Sequence, residues 1–228
     1  MPFFDSSFLL LIPAFIFAIY AQIKVKSTYN KYKEIKTQEG FSGYDVVKKI
    51  FSNNNINDVA IESTPGNLTD HYDPTSKTLR LSEDNYYGKS IAALGVSAHE
   101  AGHALQHAQG YRFIFIRNAI YPVANFGSML AFPLFFIGLV FFKSKFLMDL
   151  GIFLYIGAVF FTVATLPVEF DASKRALVQL SNGKVLTDEE LGGAKKVLNA
   201  AALTYVAAAA MAIMQLVRLL ILRSSSED

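Results

Sequence analysis

The amino-acid sequence predicts a mainly α-helical integral membrane protein with about four transmembrane helices and a small β-hairpin beside a helix that contains an HExxH pattern. Hydrophobic residues make up 52% of the 228 residues, whereas charged residues make up only 18%. The apolar residues are gathered into four blocks, each close to the roughly 20 residues that span a bilayer core of about 30 Å. The longest polar stretch between these blocks has the amphipathic and turn-rich segments of a folded part outside the bilayer.

Charge and cysteine content exclude several other classes of protein. The net charge of +2 gives no broad basic field, so a nucleic-acid partner is disfavoured. The chain has no cysteine, which excludes a disulfide scaffold, a thiolate metal site and thiol catalysis. A high apolar content with little net charge also excludes a disordered chain.

The first apolar block covers residues 8–23 and contains no charge. No Lys or Arg precedes it and no small-residue cleavage site follows it, so we predict a spanning helix within residues 1–23 rather than a cleaved signal peptide.

The other three blocks predict a transmembrane hairpin and a last span. Two blocks within residues 118–168 are separated only by Lys143-Ser144-Lys145, which predicts two spanning helices joined by a short turn. The alanine-rich block within residues 200–228 predicts the fourth span, with a buried helix outside the bilayer as the alternative.

Four spans place the polar stretches 24–117 and 169–199 on the same side of the membrane. No Lys or Arg precedes the first span, whereas five lysines follow it between residues 24 and 36. Positive residues are retained on the cytoplasmic side, so we expect both stretches to be cytoplasmic.

Local patterns in the first polar stretch predict two helices and two strands. Residues 42–51 form an amphipathic helical pattern, and residues 90–109 form a strong helical pattern that Gly110 is expected to end. Residues 59–62 and 78–81 read as short strands, separated by turn signals at Pro65-Gly66 and Asp73-Pro74.

The second of these helices contains His99-Glu100-Ala101-Gly102-His103, an HExxH pattern. Residues four apart on a helix lie on one face, so both imidazoles can reach one zinc ion. Glu100, offset by one residue, is predicted to take the proton of a zinc-bound water as that water attacks a carbonyl. The small residues of this segment, including Gly102, leave room for close packing.

A catalytic zinc usually has three protein ligands, so a third ligand is needed. The best candidate is Glu169, which the returning hairpin can bring beside the HExxH helix and which would otherwise be costly near lipid. His107 is the weaker alternative, because three ligands from one straight helix give poor tetrahedral geometry. Asp171 could support a ligating imidazole or pair with Lys174 or Arg175.

His71 lies in Asp70-His71-Tyr72-Asp73-Pro74, which we expect to be a turn between the two strands. Its side chain is a candidate for substrate or oxyanion contact, although a surface turn needs no function.

These segments together resemble the neutral zinc metallopeptidase family of bacterial membrane proteins, the YugP-like group. The matching segments are Lys24-Val25-Lys26-Ser27, Asp70-His71-Tyr72-Asp73-Pro74, the helix with HExxH, and LPVEFDASKRAL. The resemblance implies zinc as cofactor, proteolysis as activity, His99 and His103 as ligands and Glu100 as catalytic base. It adds little about the substrate.

A more distant resemblance is to HtpX-type and CaaX-type membrane metalloproteases, which also have HExxH, two spans and then a ligating Glu. This order supports Glu169 as the third ligand, in a gluzincin-like arrangement. In those families an Asp follows the ligand Glu by four residues, a position occupied here by Ser173.

The sequence therefore predicts a membrane-embedded zinc metalloendopeptidase that cuts protein or peptide substrates at the cytoplasmic membrane surface. The alternative is a zinc-binding membrane scaffold or quality-control adaptor that does not cleave. In a peptidase, replacing Glu100 by Gln should keep zinc and abolish cleavage. Zinc occupancy without hydrolysis of any unfolded protein or peptide would instead favour the scaffold.

Overall fold

The computed structural model describes residues 6–226, and helices dominate it. The predicted mainly α-helical class is confirmed. A 3₁₀ turn (Ser6–Leu10) precedes the first helix, and a π-helical turn (Gly138–Phe142) extends the fifth. The helices are α1 (Leu11–Lys33), α2 (Gly43–Asn53), α3 (Glu83–Tyr86), α4 (Ile91–Ala108), α5 (Arg112–Ile137), α6 (Lys145–Asn182) and α7 (Asp188–Ser224); the strands are β1 (Ala60–Thr64), β2 (His71–Asp73) and β3 (Thr78–Ser82).

Four helical segments of the described chain are long and apolar enough to cross a membrane: Ser7–Lys33, Arg112–Phe142, Lys145–Asn182 and Asp188–Ser224. This confirms the predicted number of spans and favours the spanning interpretation of the alanine-rich block. The helices run well past the predicted spans. With 38 residues, α6 is roughly 57 Å long, nearly twice the thickness of a bilayer core.

One compact unit contains residues 6–22, 115–167 and 204–226 of the described chain. Its core is a cluster of buried side chains from α5, α6 and α7, with many aromatic and aliphatic side chains exposed around it. Such an outward apolar surface is typical of helices that face lipid. The core residues are Ala131, Phe135, Met148, Ile152, Tyr155, Leu219 and Leu222.

The second unit contains residues 23–114 and 168–203 and is built around α4. Helix α2 packs against α4 through Val46, Val47, Ile50 and Phe51, which are all buried. A capping box begins α2: the Ser42 hydroxyl accepts from the Asp45 backbone N–H, and the Asp45 carboxylate accepts from the Ser42 backbone N–H. The helix predicted over residues 42–51 is therefore confirmed.

The sheet of the second unit has the order β1-β3-β2. The predicted strands are present, but they do not form a hairpin with each other, because β1 and β3 pair in parallel. The hairpin is formed by β2 and β3, which pair antiparallel with His71 opposite Arg80. The assignment of His71 to a turn was therefore wrong: the turns lie on either side of β2.

Helix α4 has the boundaries that its capping residues dictate. The Ser90 hydroxyl accepts from the Ala93 backbone N–H, and Gly110 has φ +68°, a left-handed conformation that glycine adopts without strain. The predicted helix and its stop signal are confirmed. Most of α4 is buried, including its polar residues Ser97, Glu100, His103 and Gln106.

Candidate metal centre

His99, His103 and Glu169 meet in the second unit, where α4 and α6 pack against each other. The imidazole rings lie one turn apart on α4, with centroids 4.8 Å apart. The Glu169 Oε2 lies 3.2 Å from His99 Nε2 and 3.6 Å from His103 Nε2. Among the described residues, this is the group of three His, Cys, Asp or Glu side chains whose ligand atoms converge, all within 4.8 Å of one another.

The spacing of these atoms fits a zinc ion. Around a tetrahedral zinc with bonds of about 2.0–2.1 Å, neighbouring ligand atoms lie roughly 3.3 Å apart, which is close to the two distances from Glu169. Two imidazoles and one carboxylate are a known catalytic zinc donor set. The Glu169 side chain is only 4% exposed, and a carboxylate so deeply buried requires a charged or metal partner.

Gln106 fixes the orientation of one imidazole. Its side-chain nitrogen donates to the Val168 carbonyl oxygen (2.8 Å) and to the Asp171 carboxylate (2.9 Å). The amide oxygen is thereby turned toward His103 Nδ1, 3.0 Å away, which must donate to it. With the proton on Nδ1, a neutral His103 ring has its lone pair at Nε2, the atom that faces Glu169 and that a metal would use.

Ser173 supports the other imidazole. Its hydroxyl lies 3.1 Å from His99 Nδ1, so Nε2 of His99 also faces Glu169. Asp171 contacts neither ring: it accepts from Arg175 and from Gln106. The sequence left open whether Asp171 supports an imidazole or pairs with Lys174 or Arg175, and the structure shows the pair with Arg175. Asp171 is connected to His103 only through Gln106.

Close packing of α4 on α6 makes this arrangement possible. A Cβ atom at Gly102 would lie 2.5 Å from the Ala172 carbonyl oxygen, a distance that no side chain tolerates. Gly102 occupies the last variable position of HExxH and therefore lets the α6 backbone approach the two histidines. The expectation that small residues leave room near the site is confirmed here.

Glu100 lies on α4 between the two histidines and is 9% exposed. Burial raises the pKa of its carboxyl group, and the nearby His99 and His103 partly oppose this. The negative charges of Glu169 and Asp70 raise it further. A carboxyl group with a raised pKa is better matched to proton transfer near neutral pH than an exposed glutamate is.

Asp70 ties the start of β2 to the rest of the unit. Its carboxylate accepts from the Ser82 backbone N–H (2.8 Å) and from the Asn85 side chain (2.8 Å). Asn85 in turn accepts from the Tyr29 hydroxyl, at 2.8 Å. Since the Asp70 charge also acts on Glu100, this network holds the first residues of β2 beside the candidate site.

His71 and His107 lie outside the ligand cluster. His71 is exposed at the start of β2, and its Nδ1 donates to the Thr69 carbonyl oxygen, 2.8 Å away. His107 Nδ1 lies 2.9 Å from the Tyr72 hydroxyl. His107 is not among the residues whose ligand atoms converge, so the structure favours Glu169 over His107 as the third member of the cluster.

Gln106 was not predicted to be a site residue. Ser173 was noted only because it occupies a position where the distantly similar families have an Asp. Gln106 follows His103 by three residues, so helical periodicity alone places it beside that ring. Ser173 occupies the position, four residues after Glu169, where the distantly similar families have an Asp. A signal for both residues was therefore present.

Four helices that are long and apolar enough to cross a membrane, and a His-His-Glu cluster that could hold a metal ion, are the features of a membrane protein with a metal site. The sequence matches, over residues 7–224, the family described as "putative neutral zinc metallopeptidase", and the chain belongs to this family. It is 46% identical to the "Putative membrane protease YugP" of Bacillus subtilis (strain 168) over 220 residues, which cover 96% of this chain and 97% of that protein. No solved structure matches the chain. The family implies zinc as the cofactor.

Proposed function

We propose that this protein is a membrane-embedded zinc endopeptidase in which His99, His103 and Glu169 hold the metal and Glu100 is the general base. The observation that carries the proposal is the convergence of three ligand atoms from α4 and α6 on one point beside a buried glutamate. Zinc supplies a positive charge that polarises a carbonyl oxygen and lowers the pKa of water to about 7.

The chain's own residues divide the remaining work. Glu100 accepts a proton from the attacking water and returns it to the leaving amine. Gln106 holds the ring of His103 and Ser173 holds the ring of His99, so that both Nε2 atoms point toward Glu169. His103 and Glu169 are buried and His99 is half-buried, which limits the access of bulk water and strengthens each electrostatic contact.

We assign substrate binding to the outer edge of β2. Within the described residues, this strand pairs only with β3, so its second edge can accept an extended peptide by strand addition. Because His71 Nδ1 donates to Thr69, neutral His71 offers only a lone pair at Nε2. It can stabilise an oxyanion only as the imidazolium, and full activity in His71→Ala would exclude this contact.

The side of the membrane on which the site lies is inferred from the distribution of charge. The lysines of α1 that follow its apolar part, Lys24, Lys26, Lys31 and Lys33, favour a cytoplasmic position for residues 24–117 and 169–199. The peptide bond is then cut at the cytoplasmic surface of the bacterial cell membrane, outside the hydrocarbon core.

The test is the Glu100→Gln variant of the full chain, purified in detergent. Zinc content is expected to stay at the wild-type level, while hydrolysis of unfolded casein falls by about 10²–10⁴-fold because the general base is lost. Glu34→Gln, at an exposed glutamate just after α1, is the control and should cleave normally. A zinc-loaded Glu100→Gln protein with wild-type activity would refute the assigned mechanism.

A further inference from the structure

The second unit contains another polar site, in a groove between α1 and α7. The groove has a volume of about 510 Å³ and contains no residue of the candidate metal centre. Three lysines, three hydroxyl groups and one amide supply its polar lining, with apolar side chains at one end. The lining residues are Lys24, Ser27, Thr28, Lys31, Tyr32, Lys196, Asn199, Ala200 and Leu203.

Helical periodicity explains how the groove is built. Lys24 and Lys31 are seven residues apart, so they lie on one face of α1, with Ser27 and Thr28 between them. Lys196 and Leu203 have the same spacing on α7. The two helices are in close contact nearby, since a Cβ atom at Gly193 would lie 2.8 Å from the Tyr32 ring.

The positive charge in this groove is not neutralised by the protein. No acidic residue lines it, and no carboxylate of the described residues lies within 4.0 Å of the Lys24, Lys31 or Lys196 ammonium group. Lys33, two residues beyond Lys31, is instead paired with Asp84 at 2.6 Å. Lys31 Nζ lies 5.7 Å from the centre of the Tyr32 ring, and the Ser27 hydroxyl donates to the Lys24 carbonyl oxygen. Three ammonium groups without a carboxylate partner, beside the Thr28 hydroxyl and the Asn199 amide, are suited to an anion with several acceptor oxygens, such as a phosphate.

The position of the groove along the two helices identifies the source of that phosphate. The residues of α1 before Lys24 carry no charge, and α7 carries none between Leu203 and Arg218, so the groove lies where both candidate spans leave the hydrocarbon region. We propose that it binds the headgroup phosphate of an anionic phospholipid. Basic pockets at this depth are known to hold anionic headgroups.

Native mass spectrometry of the full chain in detergent tests this proposal. The probes are phosphatidylglycerol, phosphatidylcholine and water-soluble glycerol phosphate. The test variant replaces Lys24, Lys31 and Lys196 by Gln. The control variant replaces Lys26, Lys36 and Lys195 by Gln, which removes the same charge from the same region without touching the groove.

Wild type and control are expected to retain phosphatidylglycerol in preference to phosphatidylcholine. The groove variant is expected to lose at least tenfold in this preference, since each lysine near an anionic headgroup contributes up to about fivefold. An equal loss in both variants, or no preference in wild type, overturns the proposal. Glycerol phosphate that binds as tightly as the lipid overturns the lipid assignment.

A double variant, Lys24→Gln with Lys196→Gln, replaces the triple one if the latter does not fold, with Lys26→Gln and Lys195→Gln as its control. Binding is measured on protein carrying Glu100→Gln as well as on wild type. If wild type and Glu100→Gln both prefer phosphatidylglycerol, the groove binds lipid independently of peptide hydrolysis. Loss of this preference in Glu100→Gln would contradict a separate lipid site.

Discussion

Replacing Gln106 by Ala should have two separate effects, one on the free energy of unfolding and one on zinc affinity. Gln106 is fully buried and makes three side-chain hydrogen bonds, to Val168, Asp171 and His103. The neutral bond to Val168 contributes about 1 kcal/mol and the bond to charged Asp171 about 2 kcal/mol, so the free energy of unfolding should fall by about 3 kcal/mol. The bond to His103 should affect zinc instead, with a 10–100-fold loss of affinity.

Two measurements distinguish these effects. Chelator competition on detergent-purified protein gives the zinc affinity, and thermal unfolding of the zinc-free protein gives the stability. Gln179→Ala, which removes a glutamine of α6 whose side chain pairs with Asn54, is the control and should leave zinc affinity unchanged. A Gln106→Ala protein that is less stable but binds zinc within twofold of wild type would show that the contact to His103 does not support a ligand.

Two further substitutions test the contacts around the cluster. Ser173→Ala removes the hydroxyl beside His99 Nδ1 and should lower zinc affinity by about tenfold in the same competition assay, while Ser181→Ala on the same helix should not. Gly102→Ala should cost about 1–3 kcal/mol in thermal unfolding, because its Cβ would meet the Ala172 carbonyl. Gly95→Ala, whose Cβ would lie 3.6 Å from Ala194, should be neutral or stabilising; equal effects at both glycines would contradict the packing argument.

Local signals were sufficient to predict the helices and much of the candidate site. The spacing of His99 and His103 follows from helical periodicity alone. Glu169 could be selected because a carboxylate at the end of an apolar segment needs a partner, and because the hairpin of α5 and α6 returns to the side from which it began. Both arguments depend on a single helix or on one reversal of the chain, which a sequence pattern can specify.

The sheet could not be predicted in the same way. Residues 59–62 and 78–81 have strand patterns, but no local rule states that they pair in parallel with a third strand at the edge. His71 and Asp73 sit in a segment rich in turn residues, so propensity favoured a turn. Pairing of β2 with β3 and the anchoring of Asp70 by Ser82 and Asn85 outweighed that preference.

The sequence also did not predict how far the helix of the third span continues. Helix α6 runs through Pro167 and Glu169 to Asn182. A proline inside a helix removes one backbone hydrogen bond, and packing of the following turns against α4 can offset that loss. The contacts of Gln106 and Ser173 depend on the rotation of α6 about its axis, which the sequence alone does not specify.

The most direct test of the account is the zinc content of the detergent-purified chain, compared between wild type and Glu169→Ala. Glu189→Ala, at an exposed glutamate in the first turn of α7, is the control for loss of a carboxylate. The account predicts about one zinc per chain in wild type and control, and loss of that zinc in Glu169→Ala. Zinc retained at wild-type affinity without Glu169 would contradict the three-ligand site.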